Sequence, residues 1–141
     1  FAFIGIFGAL IQGTLINKLV KYYGEEILIK YGAISLLIGI LMIPFSKSML
    51  ILMTAMIITT FGFSIISPSL NSLISINTSN KNQGEIMGVT RSISTLARFI
   101  GPAFAGLLFS FFGKNFPFYG GSMIMFIVLL ICLFTKPLLK K

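Results

Sequence analysis

Apolar residues run in long blocks along this chain, and short polar stretches separate the blocks. A block of about 20 helical residues, rising about 1.5 Å each, covers a hydrocarbon core of roughly 30 Å. The pattern predicts membrane spans over about 1–17, 27–45, 49–76, 84–112 and 117–135. Lys18 to Lys30 reads as a polar connection in which Gly24 breaks the helix. The turn at Ser46 to Ser48 is short enough to demand a tight helical hairpin, and Gly113 to Pro117 makes the last turn. Asn77 to Gln83 is a polar turn whose Ser and Asn residues are expected to cap the following helix. The fold class expected is an all-α membrane protein, a bundle of about five transmembrane helices with no soluble domain attached.

Within the blocks, polarity returns at helical spacing in three places. In the first span Gly5, Gly8, Ala9 and Gln12 share a face. In the third, Thr60, Ser64, Ser67, Asn71 and Ser75 share a side with Pro68, a wall hydrophilic enough to face a cavity. Proline carries no amide hydrogen, so the Ser64 carbonyl loses its helical donor, which lipid tolerates only where protein or water replaces it. In the fourth span, steps of about 100° per residue put Gly84, Gly88, Arg91, Thr95, Arg98, Pro102, Ala105 and Gly106 on one side. Ile86, Val89, Ile93, Leu96, Ile100, Phe104 and Leu107 fall on the other. One face suits lipid and the other a protein interior or an aqueous cavity. The second and fifth spans carry no such stripe.

Composition narrows the chemistry. Of 141 residues, 56% are hydrophobic and 10% charged, against about 25% charged in soluble domains. There is no His, and Glu25, Glu26 and Glu85 are the three acids, so material for a metal site, a cofactor or an acid–base pair is lacking. The single Cys132 lies in an apolar run and reads as a small packing residue. The net charge of +8 is scattered between spans instead of gathered on one soluble face, which argues against nucleic acid as a partner. It fits topology and contact with anionic lipid.

The number of Lys and Arg residues alternates along the successive polar stretches, 3, 1, 2, 1 and 3: Lys18, Lys21 and Lys30; Lys47; Lys81 and Arg91; Lys114; then Lys136, Lys140 and Lys141. By the positive-inside rule the first and third connections and the C-terminus are cytoplasmic, and Lys47 and Lys114 external. The chain opens at Phe1 within an apolar stretch and without a charged leader, so it is expected to be the C-terminal piece of a longer protein.

Three stretches resemble the major facilitator superfamily. Asn17 to Glu25 is similar to the second copy of its cytoplasmic loop motif, G-x-L-x-D-R-x-G-R, of which Leu19 and Gly24 are kept. The order GFSIISPSLNSLIS, a polar turn, QGEIMG, a serine-rich stretch and GPAFAGLLF resembles the tenth and eleventh helices, particularly of drug-efflux members. The resemblance covers the whole chain and implies part of helix 8 to helix 12 of a twelve-helix transporter. It implies a fragment of a secondary active transporter in the plasma membrane, moving a small solute or drug by alternating access, with the missing N-terminal helices as its partner. In that family helices 8, 10 and 11 line the pathway, matching the three spans with polar stripes.

Arg98 is the leading pathway candidate. An Arg at mid-span costs about 2.5 to 3.5 kcal/mol on insertion scales, and Pro102 removes the donor to its own carbonyl. It contacts substrate or a counter-ion, or else it bonds Asn71, Ser67 or an acid elsewhere in the protein and only holds the bundle. Asn71, Ser64, Ser67 and Gln12 are the further pathway candidates. Pro68, Pro102, Gly88, Gly101 and Gly106 are assigned to bending and packing. Arg91 lies near the cytoplasmic end and suits a topological role, and Glu85 suits the first-turn dipole. The competing class is a non-transporting membrane scaffold, whose polar stripes would bind partner helices; an enzyme is the least consistent.

Overall fold

The computed structural model describes residues 16–79 and 81–134. Five α-helices follow in order: α1 (Ile16–Tyr23), α2 (Glu25–Met42), α3 (Met49–Ile76), α4 (Gln83–Phe112) and α5 (Phe116–Phe134), with a 3-10 turn at Ile43–Phe45. From α2 onward, four are long and apolar enough to cross a membrane. Gln12, most of the first predicted span and the C-terminal lysines lie outside the described residues.

Two glycines set the sharpest junctions. Gly24 (φ 76°) separates α1 from α2 and Gly113 (φ 94°) separates α4 from α5, both in backbone regions that side chains with a Cβ rarely enter. The Gly24 amide still closes α1 on the Val20 carbonyl at 2.9 Å. The stretch expected as a polar connection is therefore mostly helix. Alternation of charge and apolar residues hid a helix that a single glycine ends.

α2 and α3 form the antiparallel hairpin that the three-residue turn demands, with Ser48 capping α3 by accepting from the Ile51 amide. In lipid, apolar surface has no preference for a partner helix, so close association depends on shape. Here it depends on glycine. A Cβ on Gly32 would lie 2.6 Å from Ile66 Cγ1, and one on Gly62 would lie 2.7 Å from both the Gly32 carbonyl oxygen and the Leu36 amide nitrogen. Gly39 sits as tightly against Thr59. Leu28, Ile29, Ala33 and Leu36 of α2 and Ala55, Ile65 and Leu73 of α3 are the buried apolar residues. Ser35 Oγ donates across the pair to the Ile58 carbonyl at 2.9 Å.

α5 packs beside α2, with Gly121 close to Ile40 and Ser122 buried. α4 is the long helix that differs from the other three: among the described residues, none of its own is buried. It is anchored at its ends, where Gln83 Nε2 donates to Ser75 Oγ of α3 and Phe112 stacks on Phe116 of α5 with centroids 5.0 Å apart.

The turn before α4 caps a different helix from the one expected. Asn82, at φ −107° and ψ 1°, makes no side-chain cap, because its backbone is not in the extended conformation an N-cap uses. Instead Asn77 Nδ2 donates to the Leu73 carbonyl at 2.9 Å and Thr78 Oγ1 to Ile74, closing the C-terminus of α3.

Candidate solute pathway

The polar residues of α3 divide between two sides: steps of about 100° put Ser64, Ser67 and Asn71 roughly opposite Gly62, while Thr59 and Ser72 meet α2. Their exposure differs sharply: Ser64 is buried, Ser67 half-buried and Asn71 exposed. Thr60 bonds the Met56 carbonyl of its own helix, and Ser75 receives Gln83. Such back-bonding is how a hydroxyl is satisfied where water is absent. Thr60 also lines a largely apolar groove of about 300 Å³ with Leu36, Ile43, Met56, Thr59 and Phe63. Pro68 and Pro102 both lie inside continuous helices.

On α4 both arginines are exposed. Arg91 lines an open groove of about 540 Å³ with Ser92, Thr95, Leu96 and Phe99. Ser92 and Thr95 turn their hydroxyls back onto the Gly88 and Arg91 carbonyls, which leaves the guanidinium as the polar feature of that groove. Among the described residues Arg98 has no hydrogen-bond or ion-pair partner, and the bonds to Asn71 or Ser67 are not formed. Among the described residues Gly88, Gly101 and Gly106 face open space: an added Cβ would meet none of their atoms within 4 Å. Among the described residues, the glycines packed closely at helix contacts include Gly32, Gly39, Gly62 and Gly120.

One ionisable residue was missed by the reading of the sequence. Glu25 is not in a solvated loop; it is the first residue of α2, only 9% exposed, and its Oε1 accepts a 2.9 Å hydrogen bond from Ser72 Oγ of α3. The signal was present in the spacing, because Glu25 continues the stripe of Ile29, Gly32, Leu36 and Gly39 one turn earlier. On the same interface Ser69 Oγ is buried without a hydrogen-bond partner among the described residues. Leu19 packs against the Leu28–Ile65 cluster, so that part of the loop motif is also an anchor for α1.

Among known proteins, the quinolone resistance protein NorA of Staphylococcus aureus is 30% identical over 105 residues, covering 74% of this chain and 27% of NorA. Mouse solute carrier family 22 member 18 is 27% identical over 141 residues, 99% of this chain and 34% of that protein. The chain thus spans about a third or less of the curated relatives it matches. No solved structure matches it. The family model for the major facilitator superfamily matches residues 1–141. Helices long and apolar enough for a multi-pass membrane protein, together with a family match from the first residue to the last, establish that this chain belongs to the major facilitator superfamily.

Proposed function

We propose that the protein is a secondary active transporter that moves a small, drug-like solute across the plasma membrane by alternating access, with this chain as its C-terminal helices. The observation that carries the reading is α4. A helix of 30 residues that presents Arg91 and Arg98, with none of its residues buried among the described residues, has a polar, small-residue face to offer to a pathway and to further helices. An embedded cation of this kind is a functional feature of membrane proteins by default. In this reading Arg98, Asn71, Ser67, Ser64 and Gln12 contact solute or coupling ion. Pro68 and Pro102 weaken α3 and α4 where they bend, and the C-terminus is cytoplasmic. The NorA relative supports a drug-like solute.

The test is the full-length protein in proteoliposomes carrying an imposed ion gradient, with the fluorescent quinolone ciprofloxacin as probe, followed by a panel of anionic, zwitterionic and cationic solutes. Gradient-driven movement that an ionophore abolishes is the expected result. No gradient-driven movement across the panel would favour the scaffold reading.

A further inference from the structure

Glu25 is a carboxylate at a helix interface where an apolar residue would satisfy packing alone. Burying an acid is unfavourable unless its oxygens find donors, and here Ser72 supplies one. We propose that Glu25 is a positioning residue whose bond to Ser72 fixes the register of α2 against α3, so that the two helices move as a single body. Aliphatic ridges in lipid give little preference for one register over another, a freedom to slide that the glycine contacts limit in the middle of the pair. Buried polar contacts remove that freedom, since a slip leaves them unpaired. Along this pair the ties run from Glu25 to Ser72 at one end, through Gly32 against Gly62, to Ser35 on the Ile58 carbonyl and Gly39 against Thr59 nearer the turn. The Glu25 bond is the tie between two side chains and the one farthest from the turn at residues 46–48, where slippage and splaying would be greatest. Among the described residues, the ties of α4 lie towards its two ends. The solute plays no part in this assignment, so it stands or falls separately from the transport reading.

The experiment measures spin-label distances in the full-length protein in liposomes, with Cys132→Ser and any upstream cysteines replaced. Labels at Ile38 of α2 and Leu70 of α3, both exposed, report the register. The otherwise unaltered protein is expected to give one narrow distance. Glu25→Ala should broaden it or add a population displaced by about 5 Å, one helical turn. Glu25→Gln, whose amide oxygen still accepts from Ser72, should restore the single distance. Ser72→Ala reads the same bond from the other side if Glu25→Ala fails to insert. A distance unchanged in both alanine variants, or Glu25→Gln as broad as Glu25→Ala, would overturn the assignment.

Discussion

Gly62 and Gly32 meet backbone to backbone, so that a methyl group on Gly62 would lie 2.7 Å from the Gly32 carbonyl oxygen and from the Leu36 amide nitrogen. Neither neighbour is a flexible side-chain end that could swing away. Gly62→Ala therefore forces the two helices apart, and overpacking of this kind costs about 1–3 kcal/mol. Gly101→Ala, by contrast, enters open space within this chain. The check is the thermal stability of both variants in detergent. A Gly62→Ala protein as stable as the parent would mean that the hairpin is not packed this closely.

Gly24 gives a second, independent test of the fold. At φ 76° and ψ 160° its backbone lies where residues with a Cβ are strained by about 1–3 kcal/mol, although no atom stands within 4 Å of the added methyl. Gly24→Ala is expected to lose stability through conformation alone. Gly24→Asn should lose a comparable amount, because this region is not the left-handed helical one that Asn tolerates. Equal stability of all three proteins would contradict the sharp break between α1 and α2.

For Arg98 the expected outcome is loss of function without loss of protein. It has no partner among the described residues, so Arg98→Ala leaves no buried group among them unpaired, and insertion becomes easier. Transport per folded molecule should fall at least tenfold for Arg98→Ala in the full-length protein. Arg98→Lys should recover part of it if charge suffices and little if a bidentate guanidinium contact is used. Normal transport per molecule in Arg98→Ala would remove the residue from the pathway. A fall in folded protein instead would point to a partner in helices outside this chain.

Orientation follows from the alternation of basic residues. Single cysteines at Lys47 and Lys81, both exposed positions, are introduced with Cys132→Ser and any upstream cysteines replaced. An impermeant thiol reagent added to intact cells should label position 47 and spare position 81 until the membrane is opened. The reverse pattern would invert the assignment of every loop.

The division between what the residues announced and what packing decided is clearest at Glu25 and Gly32. Hydropathy alone determined the membrane class and the separation into spans, because a backbone in lipid must satisfy its own hydrogen bonds and a helix of sufficient length is the available solution. The helix break at Gly24, the hairpin after α2 and the two prolines carried within α3 and α4 follow from local chemistry too. Family membership was also legible, through the ordered proline, glycine and serine pattern from Gly62 to Phe109. Polarity, however, could not say which faces meet. α2 has no strong polar stripe, and within this chain it is the helix against which α3 and α5 pack. A lipid tail and a leucine are equally apolar, so the choice between facing lipid and facing a helix is made by shape, at Gly32, Gly39 and Gly62. The same shape draws Glu25 out of the loop and onto Ser72, 47 residues away. The stripe on α4 was fully visible in the sequence; that none of the described residues buries it was decided only by the tertiary arrangement, because α2 and α3 satisfy one another's close contacts and leave α4 held at its ends.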